Sequence, residues 1–495
     1  MTVSFSTAQK LAVAIGGLVF HPLFWNQIQG INLLLWYVGC TGFIFWDSAA
    51  ARRTAAVRAV IIGGLLAAGC VVLYGSGVAK LAVWTSLALL VGFANQPALR
   101  LLHHALLTGL GNTVRAPLAW VSSLRGGRVG GSRAVQQMGY YSRLLGLPLG
   151  AAVVFHLLFA TANPQYAALA SAFGAWLERL FVDFSFLRLA FLLFGAAISA
   201  GLLLRVPERR WLIHEAGALE FISRTPRPKR VPPTPTRRPA GSPVALRKEY
   251  LAALIALVLV NALLLIENVL DVQNIWFDFR PAPDFDLAQF VHEGTWALIV
   301  SILLAMALVL RFFRGNLNFY ASAIHRLRPL ATVWVVQNAV LAASVGLRNY
   351  HYITRMGLAY KRIGVCFFLM LVVFGLGTVV LKIWQRRSAF SLVRLNSWAT
   401  YAVLLLLTAG NWEIWIARYN LQPRFRPTLD EAFLLGMPPR VLPELTAHAD
   451  FFAGAEADYL TTKRTHFLAR YPQRGWPSWN LADFRAYHEL KKSGW

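Results

Sequence analysis

Long runs of apolar residues recur along the whole chain, and short polar segments separate them. The runs are continuous and do not alternate, which is typical of membrane-spanning helices and not of strands. About 20 such residues cross a hydrocarbon layer about 30 Å thick. The pattern predicts an all-α, polytopic transmembrane helix bundle of about eleven spans. The predicted spans are residues 11–26, 31–46, 57–75, 78–98, 144–161, 187–205, 250–269, 287–310, 329–347, 363–382 and 397–417.

Residues 206–248 interrupt this pattern and divide the predicted spans into six and five. Seven prolines lie between Thr225 and Val244, with basic residues among them. Proline opposes helix formation, and the segment has too little apolar surface to fold alone. We expect an N-terminal membrane bundle at 1–205, a Pro/Arg-rich linker at 206–248, a C-terminal membrane bundle at 249–418 and a soluble, helical tail at 419–495.

Basic residues in the polar segments predict the orientation, because Lys and Arg accumulate in cytoplasmic loops. The loops 47–58 and 99–143 are rich in arginine and nearly free of acids. We therefore expect the N-terminus and the linker in the cytoplasm and the tail outside. Successive loops alternate between the cytoplasm and the outside. This alternation places 348–362 outside, although the loop carries Arg348, Arg355, Lys361 and Arg362.

Three glutamates from separate spans offer compensation for that positive charge. Glu267, Glu293 and Glu413 are expected at the same end, and a charge at membrane depth normally faces the bundle interior. The resulting ionic cluster either fixes helix packing or forms a polar pocket for an anionic headgroup, a sugar or an ion. The candidate residues, for ligand binding or for structural ion pairing, are Glu267, His292, Glu293, Gln337, Asn338, Arg348, Tyr350, Arg355, Lys361, Arg362, Asn411 and Glu413.

The composition agrees with a membrane protein, since 57% of the 495 residues are hydrophobic and 14% are charged. The net charge of +26 is concentrated between apolar runs. We therefore expect membrane lipids as partners, with anionic headgroups at the cytoplasmic basic loops, and no nucleic acid. The sequence identifies no protein partner. The three cysteines lie within apolar runs without metal-ligand spacing, so neither a metal nor a cofactor is expected.

No motif points to a catalytic residue. His292-Glu293 resembles the start of a zinc-protease helix, but Trp296 stands where the second histidine would be. The glycines at 126–127 and 130–131 lack the Lys-Ser/Thr ending of a phosphate loop. These absences favour a role other than catalysis.

Several short motifs also match a known family. They are His292-Glu293-Gly294-Thr295, Gln337-Asn338, Arg348-Asn349-Tyr350, Tyr360-Lys361-Arg362-Ile363-Gly364 and Tyr419-Asn420-Leu421. With them, the chain resembles an uncharacterised bacterial family of multi-pass membrane proteins, described as a domain of unknown function. The resemblance is strongest over residues 288–421. It implies a bacterial integral membrane protein and no particular activity.

Three functions remain open from the sequence. The first is a transport or ligand-binding protein of the inner membrane, with its polar site near the external face of the second bundle. The second is a non-catalytic scaffold or sensor partner that uses the linker inside and the tail outside. The third is an envelope enzyme that transfers lipid-linked sugars or phosphates. Charged groups on several helices favour the first.

Overall fold

The protein is described by a computed structural model that covers residues 5–124, most of 148–180, 185–224, 243–277, most of 299–313 and 316–493. Helices dominate these ranges, which contain no strand beyond an isolated bridge between Phe221 and Arg387. The predicted all-α fold class is therefore confirmed.

In the first half of the chain, nine helices have both ends defined within the described ranges. They are α1 Thr7–Phe24, α2 Ile31–Asp47, α3 Ala49–Arg53, α4 Ala55–Tyr74, α5 Gly77–Asn95, α6 Leu102–Leu124, α7 Pro164–Leu180, α8 Phe186–Leu203 and α9 Arg210–Ala216.

The second half contributes long helices and then the short helices of the tail. They are α10 Pro243–Asp271, α11 Ala321–Met356, α12 Tyr360–Gln385, α13 Ala389–Thr408, α14 Trp412–Asn420, α15 Glu431–Leu435, α16 Leu442–Ala447, α17 Ala455–Arg470 and α18 Leu481–Lys492. A π-helical segment, Val272–Trp276, continues α10.

Eight helices of the described ranges are long and apolar enough to cross a membrane: α1, α4, α5, α8, α10, α11, α12 and α13. Two shorter apolar helices, α2 and Ile302–Phe312, match two further predicted spans. The predicted spans 144–161 and 287–310 lie only partly within the described residues. The chain is thus a polytopic membrane protein.

The segment predicted as a loop at 99–143 contains a helix instead. Helix α6 packs across α5 and α8, and its other face exposes Leu110 and Val114. A Cβ on Gly92 of α5 would collide with the carbonyl oxygen of Ala105. The prediction missed this helix because its polar face lowers its mean hydropathy below that of a span. The packed face of α6 consists of small and polar residues such as Ala105, Gly109 and Asn112, which let the neighbouring helices approach closely.

The eleventh predicted span, 397–417, begins and ends earlier than expected. Helix α13 ends at Thr408, and α14 begins at Trp412. Gly410 and Asn411 lie in the break, and both residue types have low helix propensity. The indole of Trp412 donates to the carbonyl of Leu407 at 2.7 Å and closes the bend. Glu413 consequently lies in the first turn of a separate helix.

Helix α13 packs against the first bundle through hydrogen-bonded hydroxyl groups. The hydroxyls of Tyr401 in α13 and Ser86 in α5 lie 2.8 Å apart. The Tyr401 hydroxyl also lies 3.4 Å from the carbonyl of Val60 in α4, to which Tyr37 of α2 donates at 3.1 Å. All three side chains are buried. The last span therefore joins the two halves, because it follows α12 in sequence and contacts α4 and α5 in space.

Helices α10 and α11 run parallel in the second bundle, as their paired positions show. Asn261 donates to the carbonyl of Leu330, and Asn268 donates to the carbonyl of Gln337, seven residues further along both helices. A spacing of seven keeps one face of each helix in contact with the other. Trp334 is fully buried in this interface.

The tail covers one end of both bundles. Its own core contains Leu434, Leu442 and Phe467, and Ile416 of α14 joins that core. Between α15 and α17, Lys463 donates to the carbonyl of Met437 at 2.6 Å, and burial lowers the pKa of this amine. The tail is thus a folded unit of several short helices.

Contacts of the tail define a tail side of the molecule. The amide of Ile31 donates to the carbonyl of Trp479 at 2.9 Å, and Arg440 donates to the carbonyl of Tyr74. At the opposite end, the basic side, Asp47 pairs with Arg205 and Glu220 pairs with Arg394.

Candidate functional site

The turn between α11 and α12 is held rigidly on the tail side. Gly357 has φ +81°, and a Cβ there would lie 2.5 Å from Oδ1 of Asn420. Asn420 accepts a hydrogen bond from the amide of Leu358 at 2.6 Å and donates to its carbonyl at 2.9 Å. The turn needs glycine for this backbone conformation and for the close approach of α14.

Arg362 closes the same turn from the other side. Its guanidinium donates to the carbonyl of Met356 at 2.9 Å and to that of Gly357. It also lies 4.0 Å from the centre of the Tyr352 ring. A cation at the last carbonyls of a helix is favourable, so Arg362 both caps α11 and is fixed in position.

A cavity of about 410 Å³ lies between this turn and the tail. Lys361 and Arg362 contribute its positive charge, and the ring of Tyr360 lies 6.0 Å from that of Phe433. This volume falls within the range of small-molecule sites in proteins. The lining residues are Met356, Gly357, Leu358, Ala359, Tyr360, Lys361, Arg362, Asn420, Phe425, Thr428, Leu429, Asp430 and Phe433.

The cavity favours an anion for two reasons. Helix α12 begins at Tyr360, and its N-cap Ala359 provides no side-chain acceptor, so the positive helix end is uncompensated. The amine of Lys361 is exposed there. One carboxylate, Asp430, also lines the cavity, but it accepts the amide of Phe433 at 2.9 Å as the cap of α15.

A second group of predicted residues lies in a polar seam, which we define as Asn261, Asn268, Asp271, Gln337, Asn338, Ser344 and Arg348 of α10 and α11. Gln337 donates to Oδ1 of Asn261 at 2.8 Å, and Asn268 donates to the carbonyl of Gln337 at 3.1 Å. Asp271 and Arg348 form an ion pair, and their side chains are only 4% and 7% exposed. A buried pair within membrane-spanning helices is the environment in which ionisable groups persist in lipid.

The π-helical segment adjoins this ion pair directly. Trp276 donates to the hydroxyl of Ser344 at 2.9 Å, and a ring nitrogen of His351 lies 3.2 Å from the carbonyl of Ile275. Single turns of π-helix occur frequently at functional sites, where they break the regular register of carbonyl groups. The seam therefore ends in irregular backbone next to a buried carboxylate.

A third group meets at the tail junction, which we define as Lys80, Glu413, Arg440, Arg474 and Asp483. Arg474 pairs with Asp483 at 2.8 Å, and Nε of Arg440 lies 3.6 Å from the same carboxylate. Glu413 is 6% exposed, and the carboxylates of Asp483 and Glu413 lie within electrostatic range of Lys80. These charges join α5, α14 and two parts of the tail.

The structure separates the twelve candidate residues into these groups. The seam contains Gln337, Asn338 and Arg348, the cavity contains Lys361 and Arg362, and the region of the tail junction contains Asn411 and Glu413.

The remaining five candidates lie elsewhere. Tyr350 and Arg355 are exposed, and Glu267 is half-buried. His292 and Glu293 lie outside the described residues. Within the described ranges neither Glu267 nor Glu413 forms an ion pair, whereas Arg348 pairs with Asp271, a carboxylate that the sequence hypothesis did not include.

Asp271 was detectable from the sequence by its spacing. Asn261, Asn268 and Asp271 are seven and three residues apart, which places them on one helix face. Arg440 and Asp483 carried no comparable signal, because they belong to short tail helices whose packing is not periodic.

A family model for a domain of unknown function, DUF4153, matches residues 33–447. This chain belongs to the DUF4153 family. The match extends well beyond residues 288–421, where the motifs alone suggested the resemblance, and it covers the cavity, the seam and part of the tail. Searches of curated proteins and of solved structures each found no match.

Proposed function

We propose that this DUF4153 protein is a ligand-binding protein of the bacterial inner membrane, with the basic side in the cytoplasm and the tail outside. Its ligand is a phosphate-bearing anion, bound in the cavity between the α11–α12 turn and the tail. The observation that carries the proposal is the position of Lys361 and Arg362 in a cavity of about 410 Å³. Phosphate is bound by point charges such as lysine, by arginine and by helix N-termini, and all three are available here.

The two cations have different tasks in this proposal. Arg362 is held by two backbone carbonyls and the ring of Tyr352, so it shapes the cavity wall and contributes a fixed charge. Lys361 is exposed and provides the charge that contacts the ligand. Phe425 and Phe433 supply apolar surface, which suits a ligand with a carbon portion beside its phosphate.

Thermal unfolding of the purified full chain in phosphatidylcholine nanodiscs tests the proposal. One arm adds inorganic phosphate, and the other replaces a fraction of the lipid with phosphatidylglycerol at constant ionic strength. We expect at least one arm to raise the melting temperature. Lys361→Gln should raise the ligand concentration needed for half of this effect about tenfold, since it removes one charge-assisted contact.

Lys492→Gln is the matched control, because Lys492 is exposed at the end of α18, outside the cavity. A response to phosphate alone identifies a free solute, and a response to phosphatidylglycerol alone identifies a lipid headgroup. If neither arm responds, or if Lys492→Gln acts as strongly as Lys361→Gln, the cavity is not an anion site.

A further inference from the structure

A second cavity, of about 450 Å³, lies in the first bundle where α1, α5 and α8 meet. Sites for small molecules have volumes in this range, and they are lined mainly by apolar and aromatic side chains with a few polar groups. The described lining residues all differ from those of the anion cavity. We call this site the aromatic cavity and define it by Phe20, Phe24, Gln27, Gln29, Trp84, Phe191, Phe194 and Ile198.

Aromatic rings form the walls of this cavity. The ring centre of Phe20 lies 4.6 Å from that of Phe24, 5.4 Å from that of Phe191 and 6.1 Å from that of Phe194. Gly195 lets α1 and α8 approach, since a Cβ there would lie 2.7 Å from a ring carbon of Phe20. Four of the five lining rings are phenylalanine. The aromatic belts at membrane surfaces are enriched in Trp and Tyr instead, so a belt does not account for this group.

The polar end of the aromatic cavity lies on the tail side. Gln27 and Gln29 belong to the connection between α1 and α2, which the tail holds in place. The hydroxyl of Ser478 donates to Oε1 of Gln27 at 2.7 Å and accepts from the amide of Ile28 at 2.9 Å. This arrangement leaves the amide N–H groups of Gln27 as donors. Within the described chain, the side chain of Gln29 and the indole N–H of Trp84 form no hydrogen bond, so they are further available donors.

The other end of the cavity opens toward lipid. Phe194 is 53% exposed, and α8 is one of the helices that are long and apolar enough to span the membrane. Just beyond α8, Arg205 pairs with Asp47 on the basic side, so α8 runs from the tail side to the basic side. Ile198 therefore lies deeper in the membrane than Phe191. An amphiphile can enter from the bilayer with its polar end at the level of the glutamines.

The lining selects the chemistry of the ligand. None of the described lining residues is charged, so a neutral ligand fits and a charged one would lose its hydration without a counter-charge. Aromatic rings attract another ring beyond the burial of apolar area, whereas a saturated chain gains only that burial. The N–H donors of two glutamines and a tryptophan suit carbonyl oxygens, which are acceptors only.

We infer that the aromatic cavity binds a neutral, lipid-soluble ring that carries carbonyl oxygens and an apolar chain, which is the chemistry of a membrane quinone. The carbonyl oxygens accept hydrogen bonds at the tail-side end, from Gln27 and Gln29. The ring packs against Phe191 and Phe194, and the chain continues past Ile198 into the lipid. This binding does not depend on the anion cavity.

Thermal unfolding of the purified full chain in phosphatidylcholine nanodiscs, titrated with decylubiquinone, tests the inference. Ethyl palmitate is the comparison compound, because it has a carbonyl group and an apolar chain but no ring. We expect decylubiquinone to raise the melting temperature and ethyl palmitate to leave it unchanged. Phe194→Leu removes a ring and keeps apolar surface, and Gln29→Leu removes a donor. Each should raise the half-saturating concentration of decylubiquinone about fivefold.

Phe374→Leu is the matched control, since Phe374 is a 45% exposed phenylalanine of the span α12, outside the aromatic cavity. It should keep the half-saturating concentration of the unsubstituted protein. The inference is overturned if decylubiquinone has no effect, if ethyl palmitate acts equally, or if Phe194→Leu behaves like Phe374→Leu. In each of these cases the rings only pack α1 against α8.

Discussion

Two regions of this protein bury polar side chains in different ways. In the first bundle, Asn32 has four hydrogen bonds: its oxygen accepts from Gly30 and Leu33, and its nitrogen donates to Leu23 and Ile28. In the seam, Asn338 donates to Trp334, and its oxygen has no donor among the described residues.

Buried polar side chains in a membrane protein differ in how completely their atoms are hydrogen-bonded. Both asparagines are fully buried, so burial alone does not distinguish them. A polar group whose atoms are all paired stabilises one conformation, and Asn32 organises the connection between α1 and α2 in this way. A buried group with a free atom is costly unless a ligand or water completes it. The comparison therefore indicates a structural role for Asn32 and an incompletely paired amide at Asn338.

The largest expected effect comes from the ion pair of the seam. Asp271→Ala removes the carboxylate that pairs with the buried guanidinium of Arg348, and breaking a buried ion pair by removing one partner costs about 3–5 kcal/mol. We expect little folded protein, measured as the monodisperse fraction after detergent extraction and size-exclusion chromatography. The double substitution Asp271→Leu with Arg348→Met should recover folding, because it removes both charges.

The pair of Arg426 and Asp450 in the tail is the control for this prediction. Both side chains are more than half exposed, so Asp450→Ala should change stability by less than about 1 kcal/mol. Equal effects of Asp271→Ala and Asp450→Ala would mean that the seam is not the buried site that the comparison requires.

An intermediate effect separates the two asparagines directly. Asn32→Ala removes four hydrogen bonds, and membrane-protein hydrogen bonds average about 0.6 kcal/mol each, so we expect a loss of about 2 kcal/mol. Asn338→Ala removes one bond and one oxygen that has no donor among the described residues, and its effect should be close to zero. Chemical denaturation of both variants in the same detergent measures the difference. A larger loss for Asn338→Ala would reverse the structural interpretation of Asn32.

The smallest expected effect concerns the turn that shapes the anion cavity. Gly357→Ala places a Cβ against Asn420 at positive φ, which costs about 1–2 kcal/mol. The melting temperature should fall, and the phosphate or phosphatidylglycerol response should weaken with it. Gly364→Ala is the control, since a Cβ there meets no atom within 4 Å. If both substitutions behave alike, the turn does not hold the cavity.

The hydropathy pattern predicted most of the fold because lipid allows few solutions. A backbone in hydrocarbon must pair its own polar groups, so a long apolar run becomes a helix. Helix boundaries were harder to predict. The apolar run continues past Gly410 and Asn411 to about residue 417, so the predicted span extended beyond the end of α13 at Thr408. Helix α6 was not predicted, because polar residues on its surface lower its mean hydropathy below that of a span.

Hydropathy and charge patterns were enough to predict a bundle of membrane helices with a helical tail, and to place Arg348, Lys361 and Arg362 near the end of a span. The packing of the helices was needed to show that Arg348 meets Asp271, that α13 packs on the first bundle, and that tail residues complete the cavity around Lys361. The physical reason is that periodicity shows which face of a helix is polar, whereas the partner of that face depends on which helices pack together and in what register.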